Sequence, residues 1–273
     1  MTSSAQHNQW FTFPEFDPIA IAIGPLAIRW YALAYMAGLL GGWYILRRLS
    51  RHKDSPVSAL QIDQLLNWVL FGVIIGGRLG YVFFYKPLSY LADPIAIFRL
   101  WEGGMSFHGG FLGVVFAVAL FARRHHIPLW PLSDRIALVA PLGLFFGRLA
   151  NFINGELYGR VTQTPIGMIF PHAGPEPRHP SQLYEAGLEG LLLGLILLGA
   201  WRAKWHQKYP SLLVGLFLIG YGIARFVVEF AREPDQHLGL SDILSLSQGQ
   251  LLSLPMIVVG FFIIIKCRQA RAT

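Results

Sequence analysis

Gly147-Arg148-Leu149-Ala150-Asn151-Phe152-Ile153-Asn154-Gly155-Glu156-Leu157-Tyr158-Gly159 closes an apolar run long enough to cross a bilayer. Arg148, Asn151 and Asn154 are spaced three apart, so on a continuing helix they share one face. A guanidinium and two amides at membrane depth are costly unless they meet a partner, a cavity or a substrate. The stretch therefore predicts a membrane helix whose polar face handles an anion inside or beside lipid.

The rest of the chain agrees with that reading. Of 273 residues, 54% are hydrophobic and only 14% charged, well below the roughly 25% charged residues of soluble domains. Seven apolar segments approach the roughly 20 residues that a bilayer needs: 27-46, 65-85, 105-122, 136-153, 184-201, 212-230 and 251-266. The runs are too long and too little alternating for a transmembrane barrel. The expected fold is an all-α integral membrane protein of seven transmembrane helices, a single polytopic domain over 1-273 with a small outward-facing head mainly at 154-183. Glycines recur within the spans, as at Gly38, Gly41, Gly42, Gly72, Gly76 and Gly77, a composition that lets helices approach closely. The lone cysteine, Cys267, excludes an internal disulfide. The segment from Met1 to Asp17 has no basic n-region, so no cleavable signal peptide is expected and the first span serves as its own insertion signal.

Charge sets the orientation. Arg47, Arg48, Arg51, Lys53, Arg123, Arg124, Arg202, Lys204, Lys208, Lys266, Arg268 and Arg271 fall in one set of connections, and Lys86, Arg99, Arg160, Arg178 and Arg232 in the other. Twelve against five puts the first set in the cytoplasm and the N-terminus outside. The net charge of +7 is then a topology signal. No basic patch interleaved with stacking aromatics occurs in a soluble segment, and no nucleic-acid partner is expected. In this orientation Arg29, Tyr31, Arg78, His108, Arg148, Asn151, Glu185, Arg225 and Glu229 all fall toward the outer ends of their helices. Nine such residues from six helices predict one polar chamber opening outward.

Four constellations carry the chemistry. Arg148 and Arg225 offer permanently charged forks for a lipid phosphodiester, although Arg225 could instead pair with Glu229, or Arg148 with Glu156. Gly104-Met105-Ser106-Phe107-His108-Gly109-Gly110 places an imidazole, a base near neutral pH, beside glycines that let a substrate come close. A histidine that merely bonds neighbouring helices is the alternative. Arg178-His179-Pro180-Ser181-Gln182-Leu183-Tyr184-Glu185 leads into the fifth span with Ser181 as an N-cap, and Glu189 continues the Glu185 face toward an arginine. Arg225, Glu229 and Arg232 share a helical face that Pro234 ends, with Arg232 read as a solvated or headgroup contact. Trp30 and Tyr31 suit an interface belt. A carboxylate pair of Glu156 with Glu185 is open. No cofactor or metal is expected.

At these motifs the chain resembles the bacterial prolipoprotein diacylglyceryl transferases, nearly end to end. The matching residues are the Gly147–Gly159 signature, Ile23-Gly24-Pro25 with Trp30-Tyr31, Gly76-Gly77-Arg78-Leu79-Gly80-Tyr81, His108-Gly109-Gly110, Arg178 through Glu185, and Arg225 through Glu229. The resemblance implies a seven-helix protein of the bacterial inner membrane whose active site faces the periplasm. It implies transfer of the diacylglyceryl group of phosphatidylglycerol to the lipobox cysteine of a preprolipoprotein, with glycerol 1-phosphate leaving. His108, Arg148 and Arg225 take the catalytic positions. Tyr31, Asn151, Glu156 and Gly159 take supporting ones. Asn154, Gly109, Gly110, Arg78, Arg178, His179, Glu185, Glu229 and Arg232 complete the substrate-binding set. The segment from Val161 to Pro177 looks shorter than in some relatives, which implies a smaller head. Cys267 is expected on the cytoplasmic side, where it carries no intermediate. A transporter or flippase for an anionic lipid would also need arginines in its spans, but such proteins often gather polar groups at the midplane of a repeat, and no repeat is visible here. A structural scaffold would explain neither the arginines nor the histidine.

Overall fold

A computed structural model describes residues 10–14, 16–24, 26–53, 55–233 and 246–269. Along the chain it forms β1 (Phe11–Thr12), β2 (Ile19–Ile23), β3 (Leu26–Arg29), α1 (Trp30–Leu49), α2 (Ala59–Phe84) and α3 (Pro87–Ala92). Two 3₁₀ turns, Pro94–Phe98 and Leu100–Glu102, lead to α4 (Phe107–Arg124) and α5 (Leu129–Ile153). There follow β4 (Met168–Ile169), α6 (Ser181–Glu185), a π-helical stretch Ala186–Leu192, α7 (Leu193–Arg202), α8 (Trp205–Lys208), α9 (Leu212–Val228) and α10 (Gln248–Gln269). A helix lies on each predicted span. Five helices are long and apolar enough to cross a membrane: Ala59–Phe84, Phe107–Arg124, Leu129–Ile153, Ser181–Arg202 and Gln248–Gln269; Leu212–Val228 is apolar but shorter.

The burial pattern is that of a protein solvated by lipid. α10 buries Gln250, Ser253, Gly260 and Cys267 and exposes Val258, Val259, Phe261, Phe262 and Ile265. In water that arrangement would be inverted, because apolar surface is driven inward; in hydrocarbon the polar groups are the ones that must be covered.

Several helix ends differ from expectation, each for a local reason. α2 begins six residues early because Ser58 and Gln61 form a capping box: the Gln61 N–H donates to Ser58 Oγ at 3.2 Å and the Ser58 N–H to Gln61 Oε1 at 2.8 Å. Ser247 and Gln250 do the same before α10. The first span starts at Trp30, not 27, because 26–29 pair with 19–23 as an antiparallel hairpin; its alternating β-branched residues suit a strand. α9 stops at Val228, so Arg232 leaves the shared helical face that the spacing suggested. Pro25, Pro234 and Arg271 lie outside the described residues.

The chain divides into two compact units, Met1–Gly42 with Ile136–Thr273, and Trp43–Arg135. In the first, Ala137, Leu193, Leu197, Ala200 and Leu213 form an apolar core. The 154–180 segment is anchored there by aromatic contacts. Phe13 packs on Phe152 and Phe170 at 5.3 and 5.2 Å, Tyr158 lies 5.4 Å from Phe170, and β1 runs parallel to β4. In the second unit α2 and α4 touch backbone to backbone. A Cβ at Gly76 would collide with Gly109 O and Gly113 Cα, and one at Gly80 would sit 2.7 Å from Gly109 Cα. Gly109 thus makes room for α2.

Candidate functional site

α5 ends where Gly155 takes a left-handed conformation, φ +63°. The Gly155 N–H donates to Phe152 O at 2.9 Å and the Glu156 N–H to Asn151 O at 3.1 Å, the paired bonds of a Schellman cap. Asn154 therefore sits past the helix end, off the face it was expected to share with Arg148 and Asn151. Its side-chain oxygen is buried with no hydrogen-bond partner. The cap turns Glu156 back toward Asn151, whose Nδ2 donates to Glu156 Oε1 at 2.8 Å and reaches Tyr31 Oη at 3.5 Å. Gln182 then holds the Glu156 carbonyl through its Nε2 at 2.5 Å, and Ser181 Oγ donates to Leu157 O at 3.1 Å. The predicted Ser181 N-cap is thus replaced: Pro180 occupies that position without a side-chain cap, because the Ser181 hydroxyl serves the turn below α5. Glu156 bonds Asn151 and pairs with neither Glu185 nor Arg148.

Glu185 is the hub. It is fully buried and meets three guanidinium groups: Arg148 Nε at 3.3 Å, Arg225 Nη1 at 2.5 Å and Arg232 Nη1 at 3.0 Å. Glu189, also fully buried, lies 3.6 Å from Arg148 Nη2, and Glu229 lies 3.0 Å from Arg225 Nη2. Glu185 and Glu189 are four residues apart, at the edge of and within the π-helical stretch. Four residues of separation keep both carboxylates on one helical face, the face that meets the arginines. Arg232 is corrected from a solvated contact to a buried ion-pair partner, brought in by the bridge of its backbone to Gly159.

Three cations and three carboxylates balance, which makes so much buried charge tolerable. The distribution is one-sided. Both glutamates behind have no exposed surface, whereas Arg148 and Arg225 keep 19% and 15% of their side chains open. Each guanidinium has five N–H donors, and Arg225 directs two at carboxylates. The open donors can take a further anion.

The entry segment frames this cluster. The Gly159 N–H donates to His179 O at 2.8 Å, Arg178 Nη1 donates to Gly159 O at 3.2 Å and pairs with Glu233 at 3.1 Å, and the Arg178 guanidinium lies 5.1 Å over the Tyr158 ring. His179 Nδ1 shares a 3.1 Å hydrogen bond with Tyr184 Oη, and burial pulls the imidazole below its ordinary range. Tyr221, one turn before Arg225, is within electrostatic reach of Glu189 and Arg148. Neither Tyr221 nor Glu189 stood in the expected binding set. The signal was available for Glu189, an acid inside an apolar run, but not for Tyr221, whose type is ordinary in a membrane helix.

His108, Gly109, Gly110 and Arg78 belong to the other unit. His108 is the second residue of α4, which Ser106 caps by accepting the Gly109 N–H at 3.2 Å. Arg78 is buried and donates only to backbone carbonyls. Cys267 lies at the far end of α10 and donates to Ile264 O at 3.2 Å.

A family model described as prolipoprotein diacylglyceryl transferase matches residues 18–266. The chain is 54% identical over 261 residues to the phosphatidylglycerol–prolipoprotein diacylglyceryl transferase of Rhodospirillum rubrum, covering 95% of each chain. The protein of the same name from Rhizobium leguminosarum bv. trifolii is 49% identical over 267 residues, again covering 95% of each. That from Paramagnetospirillum magneticum is 52% identical over 249 residues, covering 91% of this chain and 92% of the relative.

Proposed function

The chain belongs to the prolipoprotein diacylglyceryl transferase family, and from that premise we propose that it moves the diacylglyceryl group of phosphatidylglycerol to the lipobox cysteine of preprolipoproteins. The thiol loses its proton to a base, the thiolate sulfur attacks the glycerol carbon that bears the phosphate ester, and the C–O bond to phosphate breaks. A thioether forms and glycerol 1-phosphate leaves. The observation that carries this reading is the convergence of Arg148, Arg225 and Arg232 on Glu185.

A leaving phosphate gathers negative charge as the bond breaks, and fixed donors in a water-poor site stabilise it most. Arg148 and Arg225 are such donors, held from behind by carboxylates so that little reorganisation is needed. Tyr31, Asn151, Asn154 and Glu156 support the Arg148 end of the site. Gly159, Arg178, His179, Glu185, Glu229 and Arg232 support the Arg225 end. His108 is the proposed base, from the chemistry of its imidazole and its place in the motif; Gly109 and Gly110 complete that motif. The protein crosses the bacterial inner membrane seven times, with the 154–183 head and the active site on the periplasmic side and the C-terminus in the cytoplasm.

The first test uses purified protein in detergent with phosphatidylglycerol and a lipobox peptide, comparing Cys with Ser at the acceptor. Mass spectrometry should find the added diacylglyceryl group on the Cys peptide alone, with glycerol phosphate released. Lipid binding without product would overturn the transferase and send the question to a liposome flux assay.

A further inference from the structure

Arg78 lies in α2 with 3% of its surface exposed, and every one of its five N–H donors is spent. Nε donates to Ile97 O at 2.8 Å. Nη1 donates to Gly103 O and to Gly104 O, the latter at 3.1 Å. Nη2 donates to Ala96 O at 2.5 Å and to Arg99 O at 3.1 Å. The plane of the guanidinium lies 5.2 Å over the Tyr90 ring. A fork so saturated has no donor left for a phosphate.

All five acceptors belong to one stretch, 96–104, the connection between α3 and α4. That stretch is built of 3₁₀ turns, whose short runs leave carbonyls without helical partners. The fixed fork of arginine answers several carbonyls at once, which an ammonium cannot do in the same geometry. The stretch continues into a second anchor on α2. The Ser106 N–H donates to Gly77 O at 2.9 Å, and Gly104 packs on Tyr81 so closely that a Cβ there would lie 2.7 Å from the ring. Immediately afterwards Ser106 caps α4, and His108 follows two residues later.

We propose that Arg78 is a positioning residue: by folding the 96–104 connection onto α2 it fixes the start of α4 and so the placement of His108, and it does not contact substrate. The activity arm of this proposal rests on the transferase reading above; the structural arm does not. Arg78→Lys keeps the charge and loses the fork. In the full-length protein, kcat should fall about 10- to 100-fold, the cost of a small misplacement of a catalytic group. KM for phosphatidylglycerol should stay within about twofold, since no substrate contact is lost. Hydrogen exchange should rise at the amides of 96–109 while 112–122 of α4 stays protected. A raised KM with unchanged exchange would make Arg78 a substrate contact. Exchange raised throughout α2 and α4 would make it a general structural residue, and raised exchange at 96–109 with normal kcat would break the link to His108. Each of these overturns the proposal. If Arg78→Lys fails to insert, Tyr90→Leu removes the ring beneath the guanidinium and should give the same pattern more weakly. Wild type that makes no thioether would sink the transferase reading, while the exchange pattern still judges the clasp.

Discussion

Glu185 and the arginines around it show what a single residue can carry. Arg225 reaches Glu185 with one terminal nitrogen and Glu229 with the other; a lysine presents one point charge and cannot bridge both. Arg225→Lys should therefore cost roughly 10²–10³ in kcat, the size of a lost transition-state donor, while the protein still inserts; near-normal turnover in the thioether assay would refute the clamp. Glu185→Gln has a different consequence. It removes the fully buried counter-charge that three cations share, so stability should drop by about 3–5 kcal/mol, as when one partner of a buried ion pair is deleted, read as a lowered melting temperature in detergent. His179 gives a pH signature. Burial lowers its pKa from the usual 6.5, so the unfolded chain takes up the proton first. The stability it contributes is whole above 6.5 and is lost as pH falls from there toward the folded value. Melting curves between neutral and mildly acid pH should diverge between wild type and His179→Gln; parallel curves would dismiss the linkage. Of these contacts only Arg225–Glu229, at i,i+4, stands among the alternatives that the spacing offers, beside an Arg148–Glu156 pair that the structure does not form. Arg148–Glu185 joins residues 37 positions apart, a distance over which spacing carries no information.

Elements set the geometry in which those residues meet. The hydropathy pattern located the helices but not their ends, because ends are decided by local hydrogen bonds such as the Ser58–Gln61 box and the Gly155 cap. The glycines foreshadowed close packing without saying which helices would touch. In the structure Gly72, Gly76 and Gly80 of α2 meet Gly109 and Gly113 of α4, and the obstructing atoms are backbone, which cannot swing aside. Gly76→Ala should weaken folding by roughly 1–3 kcal/mol through overpacking, and Gly76→Leu should cost more; a thermal melt in detergent that leaves both unchanged would show that α2 and α4 do not approach this closely. The π-helical stretch was not foreseen. It carries Glu189 and follows directly on Glu185, both of which pair with arginines from other elements.

For the whole molecule, the charge asymmetry of the connections makes the proposed orientation testable. In a Cys267→Ser background, single cysteines at Lys53 and Lys204 should be protected from an impermeant maleimide in intact cells, and those at Glu102 and Glu176 should react; all four positions are exposed in the structure. Labelling of the first pair would invert the topology. Composition and hydropathy alone establish the class of protein and the places of its helices, and charges inside apolar runs single out the residues proposed to bear the chemistry. Those properties follow from the cost of taking charge and peptide groups out of water, which is paid residue by residue. Tertiary contacts bring Arg148, Arg225 and Arg232 to one carboxylate, bury Arg232 and commit the donors of Arg78 to backbone carbonyls. Each of these depends on which distant groups end up adjacent, and electrostatic and hydrogen-bond energies fall off too steeply with distance for composition or periodicity to record them.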